Sequence, residues 1–239
     1  MKTRLSNFYA SIRKHHLQYL IISLVFLIIF VFLAVFIKNQ KQIPLLDRVI
    51  RDFAYNFRGE KFGVWYYIFR MITEFGFVFI IIPLFVLFLV FTRVDLRSFM
   101  LGFGTLFTYL CNTLVKAIID RPRPILENQW MTETSSSFPS GHSMTSMFFY
   151  GIMIFFIFKS ARPTKNQKIA LITTNVIIVL LIGFSRIVLG VHYFTDVVGG
   201  FILALALVNL AIYIYYILDK KGFTFLRKYF FKDSINTTI

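Results

Sequence analysis

The stretch Leu17-Gln-Tyr-Leu-Ile-Ile-Ser-Leu-Val-Phe-Leu-Ile-Ile-Phe-Val-Phe-Leu-Ala-Val-Phe-Ile37 is almost uninterrupted by polar side chains. A helix needs about 20 such residues to cross a hydrocarbon layer about 30 Å thick, so this run reads as a transmembrane span. Comparable runs follow at residues 63–91, 98–119, 142–158, 169–189 and 196–218. The expected fold is therefore all-α, a bundle of six transmembrane helices, because only helices and closed barrels satisfy their backbones inside lipid. Pro83 is expected to kink the second span.

Composition supports that reading. Of 239 residues, 57% are hydrophobic, 19% aromatic and only 15% charged, proportions that a water-soluble domain of this size rarely combines. No linker, low-complexity tract or fixed-period repeat divides the chain, so residues 1–239 read as one integral membrane domain. Residues 1–17 read as a basic arm, with His15 and His16 on its surface, followed by a span that is kept rather than cleaved. The only cysteine, Cys111, lies in an apolar run and reads as a packing residue.

Between the first two spans, Leu45, Leu46, Val49, Ile50, Phe53, Ala54 and Phe57 recur at helical spacing, with Arg48, Arg51, Asp52 and Arg58 opposite. That pattern predicts an amphipathic helix lying at the membrane interface. The net charge of +15 arises from 26 Lys and Arg against 11 Asp and Glu. Most of the basic residues flank spans, where they suit anionic headgroups, and nucleic acid is not an expected partner. Lys2, Arg4, Arg13 and Lys14, then Arg93 and Arg97, Lys159 to Lys168, and Lys220 to Lys232 place those ends in the cytoplasm. The first connection, with Lys38, Lys41, Arg48, Arg51, Arg58 and Lys61, opposes that orientation; interfacial charges account for some of it.

Three polar clusters interrupt the apolar chain, each at a span end. They are Lys116-Ala-Ile-Ile-Asp-Arg-Pro-Arg123-Pro124, then Ser137-Phe-Pro-Ser-Gly-His142, and Ser185-Arg186 continuing through Gly190 and His192 to Asp196. Alternation of spans brings all three to one membrane face. Lys116, Arg123 and Arg186 can surround a phosphoryl group, the arginines with planar forks that match its oxygens. Pro139 fits a first helical turn whose free amides, near Ser140 and Gly141, form an anion seat. His192 and Asp196 are four apart, so a helical carboxylate can hold one imidazole nitrogen and leave the other to attack phosphorus. His142 can then protonate the leaving oxygen.

These clusters follow K-x6-R-P, P-S-G-H and S-R-x5-H-x3-D, and the chain resembles the type 2 phosphatidic acid phosphatase superfamily, whose membrane-bound branch holds lipid phosphate phosphatases. The resemblance implies that His192 is the nucleophile, Asp196 its orienting partner and His142 the acid. It implies that Lys116, Arg123, Ser140, Gly141 and Arg186 hold the phosphoryl group, with no metal and no cofactor. The expected function is a metal-independent lipid phosphatase working through phosphohistidine, with its site outside the cytoplasm and a lipid phosphate as substrate. Undecaprenyl pyrophosphate is the first candidate substrate and phosphatidylglycerol phosphate the second. A phosphotransferase passing the group to another lipid shares these motifs, and a lipid transporter is the alternative of another class. Charges at span ends rather than span centres argue against the transporter.

Overall fold

The computed structural model describes residues 2–56, 58, 63–92, 95–124 and 130–220, and every regular element among them is a helix. In chain order these are α1 (Lys2–Asn39), α2 (Leu45–Asn56), α3 (Val64–Glu74), α4 (Val78–Thr92), α5 (Leu96–Ile119), α6 (Gly141–Lys159), α7 (Lys165–Val188) and α8 (Phe194–Lys220). Among the described residues, five helices are long and apolar enough to cross a membrane: His16–Asn39 in α1, then α5, α6, α7 and Phe194–Leu218 in α8. Arg93 and the expected carboxyl-terminal arm with Lys221, Arg227, Lys228 and Lys232 lie outside the described residues, as do Phe57 and Lys61.

The run expected as one second span is two helices. The chain breaks at 75–77, and α4 with 15 residues rises only about 22 Å. The break falls where α3 meets α7 and the start of α6. A Cβ on Gly76 would stand 2.8 Å from Ile182 Cγ2 and 3.1 Å from the His142 carbonyl, so only glycine fits that approach. Pro83, the expected kink, lies inside α4 instead.

Local signals set the helix ends. Asp95 caps α5, its carboxylate accepting from the Arg97 and Ser98 amides. Thr164 and Gln167 form a reciprocal capping box at the start of α7. Asp120 ends α5 with φ 48°, a left-handed conformation that aspartate tolerates better than most side chains.

The bundle is centred on α6 and α8. Helix α8 packs on α1 and α6, and α6 also packs on α5 and α7. Leu101, Phe138, Met144, Phe149 and Ile182 are fully buried between them. The outer faces are apolar and bare, with Phe32 74% and Phe158 72% exposed, as suits a bundle whose surroundings are hydrocarbon. His16 is no surface residue: it stacks on Tyr216 with ring centroids 4.3 Å apart, fastening α1 to α8.

Helix α2 sits differently from a simple amphipathic reading. Its apolar residues Leu45, Leu46, Val49 and Phe53 are exposed, whereas Asp47 and Ala54 are fully buried against the bundle. The helix presents Asp47 to the interior together with Ile50 and Ala54, while Leu45, Leu46, Val49 and Phe53 face outward.

Candidate active site

Lys116 and Arg123 come from the end of α5 and the segment after it, Ser140, Gly141 and His142 from the start of α6, and Arg186, His192 and Asp196 from the junction of α7 and α8. These three chain segments meet at one end of the bundle. The Ser140 amide donates to the Asp196 carbonyl at 3.0 Å, which ties the second cluster to the third. The Ser137 amide donates to the Arg121 carbonyl at 2.8 Å, which ties the second to the first. A Cβ on Gly200 would lie 2.8 Å from the Ser140 carbonyl, so α8 and the start of α6 approach at backbone distance.

The third cluster is a turn before it is a helix. Gly190, at φ 78°, reverses the chain after α7, and the amides of Val191 and His192 both return to the Arg186 carbonyl, at 3.2 and 3.3 Å. Arg186 and His192 are thereby held side by side. His192 lies outside any helix, so its pairing with Asp196 does not depend on a shared helical face. Asp196 is the third residue of α8, and its Oδ2 accepts the Tyr193 amide at 2.8 Å, half of a capping box. The same oxygen stands 3.4 Å from His192 Nδ1 and accepts a short bond from the Ser137 hydroxyl.

Arginine carries donors only, so Arg123 Nη1, 3.3 Å from His192 Nε2, requires that nitrogen to be the acceptor. The proton of the neutral ring then sits on Nδ1, toward Asp196. Burial lowers the His192 pKa to about 4 against the opposing pull of Asp196, so at neutral pH the imidazole is uncharged. An uncharged ring with its Nε2 lone pair turned toward the guanidiniums is the form a nucleophile needs.

The cationic side of the site has an internal anion. Arg123 Nη2 pairs with Glu133 Oε2 at 2.8 Å, and Arg186 Nη2 pairs closely with Glu133 Oε1. Burial alone would raise the Glu133 pKa, but Arg186, His192 and Arg123 hold it down to about 2. Arg186 is fully buried, donates to Thr73 Oγ1 at 3.0 Å, and leaves its Nε without a hydrogen-bond partner. Lys116 reaches the Ser136 carbonyl, and Arg123 also holds the Val191 carbonyl at 2.8 Å.

Two expectations for the anion seat need correction. Pro139 precedes the N-cap, Ser140, instead of opening the helix, and its carbonyl accepts from Asn112 Nδ2 at 3.2 Å. The Ser140 amide is occupied by Asp196, which leaves the first-turn amides of Gly141, His142 and Ser143 to face an anion. His142 stacks on Phe77 with centroids 5.1 Å apart.

Lys116, Arg123, Glu133, Gly141, His142 and His192 all line one cleft of 1360 Å³, whereas Ser140, Arg186 and Asp196 are fully buried and are not among its lining residues. The cleft continues away from its polar end between α4 and α5, past Phe85, Phe99, Phe103 and Leu106. Phe103 is 57% exposed, so one wall of the cleft lies on the outer face of the bundle. Among the described residues, no group of histidine, cysteine and carboxylate side chains is placed to hold a metal ion.

The model of the PAP2 superfamily matches residues 97–220, a little over half of the chain. The chain belongs to that superfamily. It is 43% identical over 109 residues to phosphatidylglycerophosphatase B of Bacillus subtilis strain 168, a match covering 45% of this chain and 52% of that protein. The match thus spans about half the length of that curated relative. Among solved structures, the transmembrane PAP2-type phosphatidylglycerolphosphate phosphatase of Bacillus subtilis superposes with a TM-score of 0.69 and 28% identity, over 90% of this chain and 98% of the other. Aquifex aeolicus LpxE superposes with a TM-score of 0.52 at 21% identity, over 76% of this chain and 98% of the other, and shares the fold.

Several residues of this PAP2 site are not singled out by motif reading. Glu133 and Thr73 hold the arginines and carry no spacing signal because they sit in other segments, whereas Ser137, which holds Asp196, opens the second cluster but has no role that its position there assigns. Asp47 does carry one. It falls on the same side of α2 as Ile50 and Ala54, where a carboxylate is out of place unless it has a buried partner.

Proposed function

We propose that this chain is a membrane lipid phosphatase that transfers the phosphoryl group of its substrate to His192 and then to water. The observation that carries the proposal is the continuity of the cleft: basic and histidine side chains surround one end, and apolar side chains on the bundle surface line the rest. A phosphate held at the polar end leaves its lipid tail against Phe85, Phe99 and Phe103, still in contact with the bilayer. A soluble phosphate ester would have no use for that wall.

In the first step the Nε2 lone pair of His192 attacks phosphorus, and the bond to the lipid oxygen breaks. His142 gives that oxygen a proton. Arg123 and Arg186, with the first-turn amides of α6, hold the phosphoryl oxygens on which charge accumulates, and the unpartnered Arg186 Nε supplies a further donor. Asp196 keeps the Nδ1 proton and offsets the positive charge that the ring gains. In the second step water attacks phosphorus, His142 takes its proton, and the P–N bond breaks to release phosphate and neutral His192. Cations and helix amides supply the electrostatic stabilisation, and no divalent metal takes part.

We favour phosphatidylglycerophosphate over undecaprenyl pyrophosphate as the substrate, a reading supported by the similarity to Bacillus subtilis phosphatidylglycerophosphate phosphatase in sequence and in fold. The test is phosphate release by purified protein in mixed micelles containing a single lipid and no acceptor. We expect kcat/KM for phosphatidylglycerophosphate to exceed that for undecaprenyl pyrophosphate by about tenfold, or about 1.4 kcal/mol of transition-state discrimination. We also expect activity in excess chelator and inhibition by vanadate. No phosphate release without an acceptor lipid would favour a phosphotransferase, and loss in chelator reversed by magnesium would remove the metal-free mechanism.

The topology proposed is six crossings, with α3 and α4 together making the second and α2 lying at the interface with Leu45, Leu46 and Phe53 toward lipid. Both termini are then cytoplasmic and the site faces outward. A cysteine placed at Thr132, which is exposed beside the site, should react with an impermeant label in intact cells, and one at Lys165 should not. Protection at Thr132 with labelling at Lys165 would invert the orientation.

A further inference from the structure

Behind the nucleophile lies a second, largely buried set of charges. Arg121 Nη1 binds Asp196 Oδ1 at 2.5 Å, and Nη2 binds Asp47 Oδ2 at 2.7 Å. Both carboxylates are completely buried. Thr195 joins them: its amide donates to Asp47 Oδ1 at 2.8 Å, its hydroxyl donates to Asp47 Oδ2 at 2.8 Å, and that hydroxyl accepts from Arg121 Nη1 at 2.8 Å. The guanidinium lies over the Tyr193 ring, 4.1 Å from its centroid. Asp47 thus caps the first turn of α8 from another helix. None of Asp47, Arg121 and Thr195 lines the cleft that receives the phosphoryl group.

The charge balance of this cluster suits the reaction. Two carboxylates and one guanidinium leave one net negative charge beside His192. Forming the P–N bond makes the ring cationic, and a buried cation requires an opposite charge that is not already neutralised. With Arg121 and Asp196 alone the two would cancel. Asp47 absorbs the charge of Arg121, so the charge of Asp196 remains directed at His192.

We propose that Asp47 and Arg121 are positioning residues for phosphoryl transfer, Arg121 aiming the Asp196 carboxylate and Asp47 offsetting the guanidinium so that Asp196 can stabilise the phosphorylated His192. This rests on the reading of His192 as the nucleophile. It also explains what α2 contributes, since one of its side chains fastens this helix directly to the catalytic turn.

The experiment compares Asp47→Asn and Arg121→Lys with the parent and with His192→Ala, each purified as a monodisperse species. The expected result is a fall in kcat of about tenfold to a hundredfold for Asp47→Asn, by analogy with the outer partners that orient metal-ligating side chains. KM and the inhibition constant for inorganic phosphate should stay within about twofold, because the groups that hold the phosphoryl moiety in the ground state are untouched. Unchanged kcat in folded Asp47→Asn would overturn the proposal, and so would a rise in KM and in the inorganic phosphate constant at constant kcat. Should Asp47→Asn fail to fold, Arg121→Lys decides by the same criteria, since it keeps the charge but cannot bridge both carboxylates. Failure of both to fold would make the cluster a folding element only and would also overturn it. Turnover retained by His192→Ala would instead count against the nucleophile assignment.

Discussion

His192→Ala should form no covalent phosphoenzyme and lose at least about four orders of magnitude in kcat, because removing a nucleophile removes the whole two-step route. The supporting groups do not compensate: Lys116, Arg123 and Arg186 can still hold the phosphoryl group, but no lone pair remains at bonding distance. Binding should therefore survive, and vanadate should still protect the variant from thermal unfolding. The readout is a phosphoprotein trapped by alkaline quench, where phosphohistidine persists, alongside steady-state phosphate release. In the parent enzyme the acid limb of kcat/KM should lie near pH 4 rather than near the ordinary histidine value. Burial lowers the His192 pKa to about 4, so the ring stays neutral on going down from pH 7 and loses its lone pair only as pH falls through that value. A limb near pH 6.5 would mean that the ring is solvated in the working enzyme, and near-normal turnover in His192→Ala would remove it from the mechanism.

Arg186→Lys should cost about a hundredfold to a thousandfold in kcat/KM, the scale seen when one preorganised donor to a developing charge is removed. The charge is kept, so the loss measures geometry. The native guanidinium is anchored by Nη1 to Thr73 and by Nη2 to Glu133, and its Nε is a buried donor with no partner. An orphan buried donor is costly unless something occupies it during function, and in the proposed mechanism a phosphoryl oxygen is that acceptor. Lysine presents one compact ammonium that cannot hold Thr73, Glu133 and a phosphoryl oxygen in that planar arrangement. Both kcat and the inhibition constant for inorganic phosphate should worsen, in contrast to Asp47→Asn, where only kcat should. If Arg186→Lys keeps kcat/KM within about threefold of the parent, the fork contributes charge alone and the role of Nε is wrong.

Much of the architecture follows from sequence because it depends on short-range patterns. Uninterrupted apolar runs give helices wherever lipid replaces water, and α1, α5, α6, α7 and α8 appear close to where those runs lie. The eight candidate site residues, His192, His142, Asp196, Lys116, Arg123, Ser140, Gly141 and Arg186, occupy span ends, so alternation of spans alone brings them to one side. The division of 63–91 into α3 and α4 was not legible in that way. Arg70, Thr73, Glu74 and Gly76 lower the hydropathy just before and at the break, but only the structure shows that Gly76 there approaches Ile182 and the His142 carbonyl, residues far away in the chain.

The same distinction runs through the active site. Residue types and spacings within 116–124, 137–142 and 185–196 point to a phosphate-binding chemistry only in combination, because a single lysine or arginine at a span end also serves as a headgroup anchor. Which nitrogen of His192 is free, and which charge balances which, could be decided only by tertiary contacts. Glu133 enters between Arg123 and Arg186 from a loop, and Asp47 reaches Arg121 and Thr195 from α2. Pairing across such distances is selected by the energy of burying charge: a carboxylate enclosed in the bundle must find a cation or an amide, and folding places it where one exists.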